Sequence, residues 1–269
     1  MEEKTFEIKE NRMIADNTFE MVLVLPEGTH GIERPGQFVN IKLEGFFLRR
    51  PISICSWDKN TLTLIYKVVG RGTEAMSSYE PGRRLNLLIP LGNGFNSPQS
   101  FGNNVDENGS RFERGTGTSP EIGDKPLLVG GGAGIPPMYG LCCELVKQGG
   151  KPTVVLGFNS ENEAFYIDKF KELGADVVVC TADGSLGVKG FVTDGIKNLS
   201  YTYFYACGPE AMLKALDSAI DKGIGGQMSF EERMGCGFGA CMGCSCKTKY
   251  GNKRICKEGP VLERGEIIW

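Results

Sequence analysis

The stretch "PLLVGGGAGIPPMYGLCCELVKQGG", residues 126 to 150, decides the architecture of the second half of this chain. It reads as a short apolar strand, a glycine turn, and a helix with proline near its start and glycine just beyond its end. Such a turn lets backbone N–H groups and a helix N-terminus meet a pyrophosphate, whose charge the helix dipole favours. The candidate contacts are Gly130, Gly131, Gly132, Ala133, Gly134, Ile135 and Pro136. Position 135 is Ile, so the motif departs from G-x-G-x-x-G, and a turn needed only for tight packing is the competing reading.

Downstream, strands and helices keep alternating: "TVVLGF", the helix-like "EAFYIDKFKELG", "DVVVCTA", then "TYFYACGPEAMLKALDSAI", whose helix carries Met212, Leu216 and Ile220 on one face. This alternation predicts a parallel, doubly wound sheet. Cys207, Gly208 and Pro209 form a second turn at the carboxyl end of a strand, where ligands bind in such sheets.

Upstream the rhythm differs. From residue 1 to 95, β-like runs such as "FEMVLVL", "GQFVNIKL", "RPISICSW" and "TLTLIYKVV" recur between glycines and prolines, as in an antiparallel barrel or sandwich. One short helix is expected after Gly72, with Thr73 as its N-cap. Residues 96–126, rich in Asn, Gly, Ser and Pro, read as a mobile surface insertion rather than a lid. The expected organisation is an α+β multi-domain chain: a barrel over 1–95, a linker over 96–126, an α/β nucleotide domain over 127–225 and a small cysteine-rich domain over 226–269.

That last segment carries the most specific motif. Cys236, Cys241 and Cys244 follow the spacing C-x4-C-x2-C, and Cys256 comes after eleven more residues, which is the plant-type arrangement of [2Fe-2S] ligands. The interspersed glycines let the backbone approach the inorganic sulfides. Structural zinc is the competing reading, but it usually pairs ligands in two short knuckles, and Cys256 has no such neighbour. Cys246 lies outside the pattern and reads as a packed non-ligand.

Composition narrows the function classes. The chain has 269 residues, net charge −3, 41% hydrophobic and 23% charged residues, so two ordinary domains can be buried. The acidic balance favours neither nucleic acid nor an anionic membrane, and no apolar run suits a spanning helix or signal peptide. A cytoplasmic location is expected, where ten cysteines point to metal or redox chemistry rather than disulfides. The sole histidine, His30, lies in a turn-like stretch, so a histidine-based triad or metal site is excluded.

In the barrel half, "RRPISIC" and "GRGT" are weak patterns alone. Arg50 could pair with a phosphate, Ser53 could bond a ring nitrogen, and Gly72 with Thr73 could present backbone donors. Together with "GGGAGIPP" and "CGPEAM" they resemble the ferredoxin–NADP reductase superfamily. "LRRPISI", "ERMGCGFGACMGC" and "CKEGPVLERGEIIW" narrow the resemblance to the electron-transfer subunits of NAD-dependent, heteromeric dihydroorotate dehydrogenases, across nearly the whole chain.

The resemblance implies that Arg50, Pro51, Ile52 and Ser53 line FAD, that Ile65, Tyr66 and Lys67 run along it, and that Gly72 and Thr73 bind its phosphates. It implies that Gly130 to Pro136 and Cys207 to Pro209 receive NAD(H), with Cys207 on the nicotinamide side, and that the four spaced cysteines hold the cluster. Ile52 stands where many reductases carry an aromatic residue against the flavin. The implied partner is an FMN-containing catalytic subunit, joined in a heterotetramer, that oxidises dihydroorotate in pyrimidine biosynthesis. Two rivals remain: a ferredoxin-linked or bifurcating reductase subunit, and a zinc-stabilised nucleotide-binding module without redox activity. The acidic turn "NSENEAF", without arginine, leans towards NAD over NADP.

Overall fold

The computed structural model describes residues 1–25, 31–97 and 126–269. Most of the 96–126 insertion and His30 lie outside them.

Six strands close the barrel: β1 (Glu2–Ala15), β2 (Thr18–Val24), β3 (Phe38–Lys42), β4 (Arg50–Trp57), β5 (Thr61–Lys67) and β6 (Arg84–Leu91), in the order β1-β2-β5-β4-β3-β6. Alternation drives closure. Val39, Ile41, Ile54, Leu62, Leu64, Leu85 and Leu87 point inward to one core, while every second residue faces out. The outer face of β3 is buried too, whereas Pro51 and Ser53 on β4 and Thr63 and Lys67 on β5 remain half-buried.

The nucleotide half is a seven-stranded sheet. Its strands are β7 (Leu127–Gly131), β8 (Thr153–Phe158), β9 (Asp176–Thr181), β10 (Val188–Lys189), β11 (Tyr203–Cys207), β12 (Gly225–Ser229) and, beyond the hairpin β13 (Ser245–Thr248) and β14 (Gly251–Arg254), β15 (Val261–Glu263). The order is β10-β9-β8-β7-β11-β12-β15, parallel except for β15. Helix Ile135–Lys147 covers one face of the sheet and Glu210–Ala219 the other. The residue 225/226 boundary falls within β12, and β15 belongs to the same sheet, so the cysteine segment is tied to the nucleotide domain at both ends.

Two local expectations are corrected. The helix after "NSENEAF" covers only Ile167–Glu172, because Tyr166 takes a left-handed φ of 65°. Its ring is wedged against Tyr139, with centroids 4.9 Å apart, which holds that unfavourable backbone in place. Thr73 is not an N-cap. The helix Arg71–Ser77 starts two residues earlier, and the Thr73 hydroxyl accepts hydrogen bonds from the N–H groups of Val69 (3.0 Å) and Gly70 (3.3 Å). In the helix Glu210–Ala219, Leu213 and Leu216 are the buried residues, with Met212 packed beside them. Among the described residues no helix is long and apolar enough to cross a membrane.

Candidate functional site

Sheet topology brings the two turns of the nucleotide half together. Strands β7 and β11 are adjacent and parallel, with Cys207 in register with Gly130, so both turns emerge at the same carboxyl edge. Packing between them leaves no room for side chains: a Cβ on Gly134 would overlap the Cys207 carbonyl, and one on Gly131 would overlap the Met212 sulfur. The helix Ile135–Lys147 follows with proline in its first turn, leaving its free N–H groups at that edge.

Cys207 is buried at the end of β11, and burial pushes its thiol well above the usual range, helped by the Glu231 carboxylate and opposed by Ser229. It is therefore a neutral thiol at neutral pH. Glu231, a residue absent from the sequence reading, is itself exposed.

The barrel turns its β5 strip towards this edge. Thr18, Ile65, Tyr66 and Lys67 from the barrel, Gly132 and Ala133 from the glycine turn, and Phe158, Glu163 and Phe165 line one small, half-open cleft. The expected flavin strip and the expected nucleotide turn thus share a wall. Within the acidic turn, Glu163 pairs with Lys67 at 2.9 Å, spanning the two domains.

On β4, Pro51 and Ser53 lie on the outer face opposite Asn40 and Phe38 of β3. The Arg50 guanidinium lies over the Phe46 ring, 4.8 Å from its centroid, and occupies the space a side chain at Gly72 would need. Arg50 and the first turn of helix Arg71–Ser77 therefore form one cationic, N–H-rich patch. That patch fits a pyrophosphate.

The four spaced cysteines sit in pairs. The thiols of Cys236 and Cys241 interact with each other, as do those of Cys244 and Cys256. Two cysteine pairs, with Cys236 also acting on Cys256, suit two irons with two cysteine ligands each.

The backbone feeds these sulfurs. The Cys236 sulfur accepts from the N–H groups of Ala240 (3.2 Å) and Cys241 (3.4 Å), the Cys241 sulfur from Gly243 (3.5 Å), and the Cys244 sulfur from Cys256 (3.4 Å). Burial pushes Cys236 up, but the donors at Cys241, Phe238 and Ala240 outweigh it and bring the thiol down to about 6. Cys256 moves the other way, to about 12, through burial and the neighbouring Cys244. Cys246 is half-buried on β13 and pairs with Lys253 across the hairpin.

The cysteine segment is seated on the barrel. Phe38 and Leu91 pack with Cys244, Ile255, Cys256 and Leu262, and the Asn40 Nδ2 donates to the Cys236 carbonyl at 3.2 Å. The sequence reading missed Asn40, and it missed the buried Glu20. That carboxylate, on β2, accepts from Arg12 (2.6 Å), Lys169 (3.1 Å) and the Tyr166 hydroxyl. Only the odd placing of a charge within the apolar run "FEMVLVL" could have flagged it.

Comparison with known proteins agrees with this layout. The iron–sulfur cluster binding domain of dihydroorotate dehydrogenase B matches residues 231–268, and the oxidoreductase NAD-binding domain matches residues 128–218. Over 282 aligned positions the chain is 39% identical to the dihydroorotate dehydrogenase B (NAD(+)), electron transfer subunit, of Bacillus cereus (strain G9842), covering 100% of this chain and 99% of that one. The subunit of the same description from Geobacillus sp. (strain WCH70) matches with the same identity and coverage. Among solved structures, an NADH-dependent reduced ferredoxin-NADP oxidoreductase studied for flavin-based electron bifurcation superposes with a TM-score of 0.79. Its identity is 28%, over 98% of this chain and 90% of that one.

Proposed function

The chain belongs to the electron transfer subunits of NAD(+)-dependent dihydroorotate dehydrogenase B, and on that premise we propose how its residues carry electrons between a catalytic partner and NAD+. Cys236 and Cys241 would hold one iron of a [2Fe-2S] cluster, and Cys244 and Cys256 the other. The N–H groups at Ala240, Cys241, Gly243 and Cys256 stabilise the thiolate forms that ligation needs.

FAD would lie on the outer barrel face, with Arg50, Gly72 and Thr73 at its pyrophosphate and Pro51, Ser53 and Ile65 to Lys67 along it, while Ile52 packs against the barrel core behind that face. When bound, it supplies exchange between one-electron traffic at the cluster and two-electron hydride transfer with nicotinamide. Gly130 to Pro136 and Gly208 with Pro209 would receive NAD(H). Cys207, held neutral by burial, would present an uncharged thiol on the nicotinamide side rather than a nucleophile. The partner would carry FMN and oxidise dihydroorotate in pyrimidine biosynthesis, and two copies of each chain would form a heterotetramer.

The observation that carries this reading is spatial. The cysteine loop rests on β3, whose register partner is the Arg50–Ser53 stretch of β4, while β5 on its other side faces the glycine turn. The three candidate sites would therefore follow one another across a single surface. Co-purification from the native source, followed by cofactor analysis, tests it: one FAD and two irons with acid-labile sulfide on this chain, and FMN on a second chain, are expected. A colourless chain containing zinc would overturn it.

A further inference from the structure

Asn40 is a buried amide, 1% exposed, on a strand whose neighbours Val39 and Ile41 belong to the barrel core. Strand alternation turns its side chain outward, to the face that Phe38, Pro51 and Ser53 share. There it meets the cysteine loop. Nδ2 donates to the Cys236 carbonyl at 3.2 Å, and since that carbonyl can only accept, the orientation of the amide is fixed. Gly237 follows with a φ of +79°, and a Cβ there would overlap the same Nδ2. The backbone of Asn40 is pinned from behind, because Arg49 Nη1 donates to its carbonyl at 3.2 Å.

The other half of the amide is unsatisfied. Asn40 Oδ1 is buried without a hydrogen-bond partner. A buried polar oxygen left unpaired costs stability and offsets what the single donor contributes, so the asparagine adds little net stability. What the donor does supply is the polar link between the loop of the first cluster ligand and the strand paired with Pro51.

We infer that Asn40 is a positioning residue that fixes the cluster loop against the flavin-bearing face of the barrel, and so sets the separation and environment across which the two centres exchange electrons. The inference rests on the cofactor assignment proposed above and adds this side chain to it.

The test uses the native complex with Asn40→Leu. Expected are a melting temperature close to that of wild type and full FAD and iron content. The EPR line shape and the midpoint potential of the cluster should change, and flavin–cluster electron exchange after mixing with NADH should slow by about tenfold or more, since small misplacements of reacting groups have large kinetic costs. Loss of iron with FAD retained also supports the role. Unchanged spectrum, potential and exchange rate would overturn it, as would a lower melting temperature with those three unaltered. Should Asn40→Leu lose both cofactors, Asn40→Asp carries the same readouts, since it keeps the shape and turns an acceptor towards the Cys236 carbonyl. A wild-type complex lacking FAD or cluster would instead defeat the underlying assignment.

Discussion

The barrel makes two interfaces, and they are built from different chemistry. Towards the nucleotide domain it adds charge at the edge of an apolar seam: Cys55, Ile65 and Phe95 pack with Ile135, Met138 and Leu141, while Glu20 gathers Arg12, Lys169 and Tyr166, and Lys67 reaches Glu163. Towards the cysteine segment it offers shape and neutral hydrogen bonds. Phe38 and Leu91 pack on Cys244 and Cys256, and the Asn93 side chain donates to the carbonyls of Glu258 (3.1 Å) and Val261 (2.7 Å) while accepting from the Val261 N–H. A close-packed neutral joint holds one geometry, because interiors deform little. A charged joint answers to pH and ionic strength. The rigid joint lies under the cluster, whose electron transfer depends on distance. The charged joint flanks the cleft lined by Ile65, Lys67, Gly132 and Ala133, where the proposed function seats the nucleotide.

The largest effect should follow from a steric lesion in the neutral joint. Gly92 has a φ of +77°, and a Cβ there would meet the Pro260 ring at 2.5 Å, the Phe38 ring at 3.0 Å and the Gly259 carbonyl at 3.2 Å. Gly92→Ala adds left-handed backbone strain to overpacking, a loss of about 3 kcal/mol. Urea denaturation and iron content check it. Iron should fall with stability while NADH still reduces the flavin. A variant as stable as wild type would show that this joint is looser than its packing indicates.

The charged joint should break more gently and with a pH signature. Burial raises the Glu20 carboxyl, but Tyr166, Lys169 and Arg12 outweigh it and leave it below its ordinary value of 4.5. A carboxylate lowered in the folded state contributes stability above its unfolded value, and that contribution is lost as pH falls through the folded value. Glu20→Gln should therefore cost about 2 kcal/mol at pH 7, in the range for hydrogen bonds to charged groups, and the gap from wild type should start to narrow below pH 4.5 and close only below the folded value. Denaturation curves at pH 7 and at a series of acidic pH values follow it. A gap that does not narrow as the pH falls would mean that Glu20 acts through packing.

This contrast also explains what the sequence disclosed. Local signals sufficed for the barrel strands, the glycine turn and the cysteine spacing, because period, turn chemistry and ligand geometry are written in short windows. Glu20 and Asn40 were invisible because their meaning lies in partners far along the chain, Tyr166 and Lys169 for one and Cys236 for the other. The helix expected over "EAFYIDKFKELG" was overstated for the same reason: the aromatic wedge that turns Tyr166 left-handed is tertiary, and helical periodicity in that window cannot show it. The "CKEGPVLERGEIIW" motif acquires a physical role only in three dimensions. Arg264 donates to the carbonyls of Asp217, Ile220, Asp221 and Ile224 and to the Asp217 carboxylate, tying the chain's end to the helix Glu210–Ala219.

The smallest effect, and the one that separates gating from glue, concerns Lys67 and Glu163. Their side chains are 30% and 26% exposed, so the pair should contribute only about 0.5 kcal/mol to stability, with salt screening part of it. Both residues nonetheless line the cleft between the β5 strip and the glycine turn. Lys67→Met should leave the urea midpoint almost unchanged while altering KM for NAD(H), because one wall of that cleft loses its link to the other. The KM difference should shrink as salt rises, since screening already weakens the pair in the wild type. If instead stability falls by 2 kcal/mol and KM holds, the ion pair belongs with Glu20 as a structural clamp, and the charged joint is as fixed as the neutral one.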